Sequence, residues 1–86
     1  MGQITVRVKK NGVPEAGAKV YALYVPVTGA VDKLQVTMDA NGQWQTTVGA
    51  GFKAFAWVFV EHADGTDGLG GGPYKIVDGT ILELGT

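Results

Sequence analysis

Cysteine and serine are both absent from this 86-residue chain, and histidine occurs once. Without cysteine there is no disulfide, no thiol nucleophile and no thiolate metal ligand, and the redox compartment stays open. Without serine, a nucleophile activated by His62 would have to be a threonine. Long apolar runs are missing too: nothing approaches the ~18 residues of a membrane helix, so no membrane insertion is expected. The opening "MGQITVRVKK" alternates like a strand, where a secretory leader would carry roughly 7–15 consecutive apolar residues, so no signal peptide is expected in this chain. Val6 stands where myristoylation requires Ser or Thr. An excess of either charge is lacking, since seven Lys and Arg oppose eight Asp and Glu for a net charge of −1. General attraction to nucleic acid does not follow, and none is expected as a partner.

Helical periodicity is also missing, and what replaces it is short alternation broken by turn dipeptides, the signature of an all-β sandwich. A chain of this size buries only ~60–65% of its unfolded surface, enough for one small core and one domain over residues 1–86. Ile4, Val6 and Val8 alternate with Thr5, Arg7 and Lys9 in a first strand. Asn11-Gly12 and Pro14 then turn the chain. "AKVYALYV" (18–25) is a second strand ended by Pro26. "KLQVTM" is a third, and after the turn at Asn41-Gly42 a fourth places Trp44, Thr46 and Val48 on one face. A fifth strand occupies "GFKAFAWVFVEH" (51–62), and "YKIV" and "TILEL" add two more, about seven in all. Between them, residues 62–73 are so rich in glycine that regular structure would be entropically expensive, and they read as a mobile loop.

Two stretches carry a family likeness. "NGVPEAGAKVYA" and "TMDANGQWQTTVGAGFKAFA" resemble the opening and later segments of carboxypeptidase regulatory-like domains, which are transthyretin-like β-sandwiches. They stand in the family's order and cover about half the chain. The resemblance implies an immunoglobulin-like Greek-key sandwich acting as a non-catalytic accessory, surface or interaction module, and it favours an extracellular or cell-surface location. Related surface-protein repeats join a first-strand lysine to a last-strand asparagine. Lys9 or Lys10 would supply the amine here, but "TILELGT" holds no asparagine, and Asn11 and Asn41 both lie in turns, so no such cross-link is expected.

Little else points to chemistry. Asp64 and Asp67, with loop carbonyls, are the candidates for a calcium site, yet their spacing matches no EF-hand, and a solvated turn explains them as well. Gly70 to Gly72 lack the following Lys-Ser/Thr and the helix that a phosphate cradle needs. No cofactor is expected, and no enzyme activity.

The fifth strand is the informative one, because side chains alternate faces along a strand and both of its faces are apolar. Phe52, Ala54, Ala56, Val58 and Val60 share one side, and Phe55, Trp57 and Phe59 share the other. In transthyretin-like and immunoglobulin-like arrangements the second and fifth strands are neighbours. With the even-numbered residues inward, Tyr21, Leu23 and Val25 join Phe55, Trp57 and Phe59 in one outer patch. A slip of one residue would instead expose Ala54, Ala56, Val58 and Val60, and two apolar faces penalise such a slip only weakly. The patch would be covered by a second copy, a neighbouring domain or the glycine-rich loop. Self-association into a homo-oligomer is the first expectation, since two-fold closure is the commonest way to bury such a face. The alternative is a carbohydrate- or ligand-binding accessory domain using Trp57, Tyr74 and the glycine-rich loop.

Overall fold

A computed structural model describes residues 2–27, 29–68 and 70–85, and among them there are eight strands and no helix. In chain order these are β1 (Gly2–Lys10), β2 (Val13–Pro14), β3 (Lys19–Pro26), β4 (Asp32–Thr37), β5 (Gln43–Val48), β6 (Lys53–Glu61), β7 (Gly71–Val77) and β8 (Ile81–Gly85). The eighth strand, relative to the expected seven, is β2. Asn11 (φ 54°) and Gly12 (φ 79°) both take left-handed angles, which is the two-residue hairpin turn whose twist matches its strands. Lys10 therefore pairs with Val13 and Lys9 with Pro14.

β1 is the centre of one sheet. β5 and β2 lie antiparallel along one of its edges, and β8 runs parallel along the other, from Thr5 opposite Ile81 to Lys9 opposite Gly85. The second sheet has the order β4-β3-β6-β7 and is antiparallel throughout. Between the sheets lie Ile4, Val6 and Val8 of β1, Val20 of β3, Ala54, Ala56, Val58 and Val60 of β6, Ile76 of β7 and Leu84 of β8, all buried. Trp44, Thr46 and Val48 stand opposite Val6, Ile4 and Gly2, so they share the inner face of their sheet.

This core is built from small residues. Val8 is completely buried, Met38 is the bulkiest side chain buried to within 3%, and the aromatic rings are exposed or only partly buried. In β6 the division is complete: alanine and valine point in, while Phe55, Trp57 and Phe59 point out.

One turn demands glycine for two separate reasons. Gly42 has φ +71°, and a Cβ there would lie 2.7 Å from the Glu15 amide nitrogen and 2.9 Å from Pro14 Cβ. Its carbonyl accepts from Val8 N at 2.9 Å, while Val8 O accepts from Glu15 N at 2.9 Å. The β4–β5 turn is thereby seated on the β1–β2 hairpin.

The glycine-rich segment differs from its expected loop over residues 62–73. Gly71 to Pro73 belong to β7, with Gly71 opposite Val58 across a bulge. Before it, His62 N donates to Thr66 O at 2.8 Å, Gly68 N donates to Val60 O at 2.8 Å, and Glu61 bridges Asp67. Leu69 lies outside the described residues. The backbone groups here find partners in the neighbouring strand and within the turn, which offsets the entropy that glycine loses on ordering.

Candidate functional site

The outer face of the β4-β3-β6-β7 sheet gathers the residues singled out from the alternation. Because antiparallel partners share a face, the register sets Tyr21 beside Phe59, Leu23 beside Trp57 and Val25 beside Phe55. Phe55 is 40% exposed, Trp57 42%, Phe59 54%, Tyr21 37% and Leu23 39%; Val25 is half-buried. Full burial of an aromatic ring removes ~150–250 Å² from water, so the four rings leave roughly 350 Å² of apolar surface in one place. Single apolar residues on a surface are ordinary; a contiguous patch of this size is comparable to the largest on a typical monomer, which is often a functional surface.

Packing explains why the rings stay uncovered on the β7 side. A Cβ on Gly72 would lie 3.0 Å from Trp57 Cα and 3.3 Å from Trp57 Cδ1, and one on Gly70 would lie 3.1 Å from Phe59 Cδ1. The glycines let the backbone run close against these residues without adding side chains over them.

Lysines border the patch, and their positions follow the same alternation. Lys19 and Glu61 are cross-strand partners, as are Leu23 and Lys33, and Phe55 and Lys75; Lys53 precedes Phe55 by two residues and so shares its face. The Lys53 ammonium sits 6.0 Å from the Phe55 ring centroid, at the outer limit of a cation–π contact. Lys19 pairs with Glu61 at 3.9 Å. Four lysines against Glu61 and its antiparallel bridge partner Asp67 leave this sheet face at +2, on a chain whose net charge is −1. A shallow hollow of about 290 Å³ opens within the face, lined by Tyr21, Leu23, Lys33, Gln35 and Phe59 among others.

Tyr74 does not join this site. It pairs with Ala56, whose side chain points inward, and it packs against the core from β7. Trp57 and Tyr74 thus stand on opposite faces of one sheet, and the ligand-binding pair expected from sequence is not brought together.

The acidic turn is occupied internally. Asp64 Oδ2 accepts from the Lys10 ammonium at 2.9 Å, and Oδ1 accepts from Thr66 N at 3.0 Å and Thr66 Oγ1 at 2.6 Å. The Thr66 hydroxyl, then Lys10, hold the Asp64 carboxyl well below the usual carboxylate range, and the Lys10 pKa is raised by the same contact. Asp67 enters only through its backbone bridge to Glu61. Among the described residues no three His, Cys, Asp or Glu side chains gather as a metal site.

Beside this turn lies a pair that the sequence did not suggest. Glu15 Oε1 is 2.5 Å from His62 Nδ1, and Glu15 Oε2 accepts from Ala63 N at 3.2 Å. Both side chains are nearly buried. The contact ties the segment after β6 to the segment after β2, and its polar atoms are satisfied by one another, which is what burial requires. The partners are 47 residues apart, and no local pattern would join them.

No protein-family model, no curated protein and no solved structure matches this chain.

Proposed function

We propose that the chain is a non-catalytic interaction module, a β-sandwich of transthyretin-like kind, that docks through the outer face of its β4-β3-β6-β7 sheet onto a protein whose apolar patch is bordered by carboxylates. The observation that carries this reading is the exposed cross-strand row of Tyr21, Leu23, Val25, Phe55, Trp57 and Phe59 with lysines around it. An apolar centre with a polar rim is the anatomy of a protein interface, and the hollow between Tyr21 and Phe59 would take one anchoring side chain of the partner. Support for the transthyretin-like assignment comes from β3 and β6 lying side by side, as the second and fifth main strands do in that arrangement.

Charge favours a different protein, or a neighbouring domain, over a second copy. Two-fold pairing through this face would set +2 against +2, and like charges brought together at an interface suppress association. A nucleic-acid strand would satisfy the lysines and stack on the rings, but the aliphatic Leu23 and Val25 occupy the middle of the face and offer nothing to a base. The two classes of partner separate experimentally.

A photo-crosslinking residue placed at Trp57, with one at Gln45 on the other sheet's outer face as control, tests the reading in cells that make this protein. One discrete adduct with a second protein from position 57, absent from position 45, is the expected result. Homodimer alone, nucleic acid, or the same adducts from both positions would overturn it.

A further inference from the structure

The small residues that β6 turns inward leave space. Between the sheets is a cleft of about 310 Å³, bordered by Ala22, Ala54 and Ala56 on one side and by Ile4, Val6 and Thr46 on the other. It is open along one side, where Tyr24, Leu34, Trp44, Val48 and Phe52 line it and keep part of their surface in solvent. These residues lie on the edge strands β4 and β5, at the end of β3 and in the β5–β6 turn, so the mouth is the gap between the two sheet edges. Protein interiors are normally packed as densely as organic crystals, with few voids larger than a water molecule. This space is about twice the ~150 Å³ cavity that holds one benzene.

From these observations we propose that the cleft is a binding site for a single unbranched alkyl or acyl chain of about ten carbons. Charge, shape and size each select that occupant. Among the described residues no Asp, Glu, Lys, Arg or His lines the cleft, so a charged group inside it would be unpaired. The lining takes three successive inward positions from each of β3 (Val20, Ala22, Tyr24), β5 (Trp44, Thr46, Val48) and β6 (Ala54, Ala56, Val58). Five residues of strand span about 13 Å. Across the strands the lining runs from Leu34 and Val36 on β4 to Ile76 on β7, so the space is a thin layer between the sheets, which a flexible chain can follow and a bulky branched ligand cannot. At the mouth, the Tyr24 hydroxyl donates to Asp32 Oδ2 at 3.3 Å. A carboxylate here would repel an anionic head group, which points to a neutral one such as an alcohol or ester. The site faces away from the docking surface, on the other side of the same sheet, and does not depend on it.

Trp44 lines the cleft and Trp57 does not, so in a Trp57→Phe background the remaining indole reports on the slot. The probe is 10-bromodecanol, whose bromine quenches indole fluorescence on contact, with decanol used for melting. Saturable quenching of Trp44 and a rise in Tm with decanol are expected, since a ligand that binds only the folded state stabilises it. Ala56→Leu, which fills the middle of the slot, should weaken quenching at least tenfold, and Ala22→Val, a smaller addition from β3, should weaken it in the same direction. Quenching that rises linearly without saturation, or that is unchanged in both variants while they remain folded, would overturn the assignment. The titration of the Trp57→Phe protein itself decides the point even if one cleft variant fails to fold.

Discussion

Substituting alanine at Gly42 and at Gly12 separates two costs that glycine positions usually combine. Both residues sit at left-handed angles, φ +71° and φ +79°, so each alanine incurs the steric penalty of that region, about 1–2 kcal/mol. Around Gly12 nothing lies within 4 Å of the new Cβ, and the cost stops there. At Gly42 the Cβ would stand 2.7 Å from Glu15 N, 2.9 Å from Pro14 Cβ and 3.0 Å from Pro14 C. Two of those atoms are backbone, in a hairpin held by the Val8–Gly42 and Glu15–Val8 hydrogen bonds, so the chain itself must move. Overpacking of that kind adds about 1–3 kcal/mol. Gly42→Ala should therefore destabilise by about 2–5 kcal/mol in total. At about 4–8 °C per kcal/mol for a domain of this size, it should melt at least about 8 °C lower, and Gly12→Ala should fall between it and wild type. Urea unfolding of the three proteins, compared at constant m-value, measures the differences directly. Equal destabilisation by the two alanines would refute the seating of the β4–β5 turn on the β1–β2 hairpin.

Two further predictions test the face and the acidic turn. Val58→Asp, at a position 3% exposed, buries an unpaired carboxylate and should destabilise strongly, whereas Trp57→Asp, where the ring is 42% exposed, leaves the carboxylate in water and should cost less; the reverse order in chemical denaturation would mean that β6 is turned over. Asp64 has its carboxyl pKa lowered from 3.8 by Thr66 and Lys10, so its contribution to stability is in place above that ordinary value and is lost as pH falls below it. The gap in Tm between wild type and Asp64→Asn should hold constant near neutrality and narrow below about pH 4; a gap unchanged down to about pH 2 would show that the contacts to Asp64 do not form in solution.

Much of the fold is legible locally. Ile4, Val6 and Val8 are separated by polar residues, and all three are buried. Asn11-Gly12 marks a hairpin by its backbone angles alone. The outward positions of Lys19, Lys33, Lys53 and Lys75 were readable from the same alternation as the aromatic row, although the net charge of the whole chain concealed them. The glycine-rich segment was misplaced for a definite reason: glycine carries a strong entropic bias against regular structure, and only the bulged edge of β6 supplies the partners that draw Gly71 to Pro73 into β7. Glu15 and His62 meet through turns at opposite ends of different strands, and no sequence period connects them.

Strand content and turn positions were set by the sequence itself, because φ/ψ preferences and the two-residue alternation act between near neighbours. Which face of β6 turned inward was left open, since "FKAFAWVFV" is apolar on both sides and a period of two cannot choose between them. Tertiary packing made the choice. With Val20 opposite Val60, Ala22 opposite Val58 and Ile76 opposite Ala54, the neighbouring strands present their own small inward residues to the even-numbered set. The rings of Phe55, Trp57 and Phe59 are left outside as a surface, and the alanines inside as a cleft.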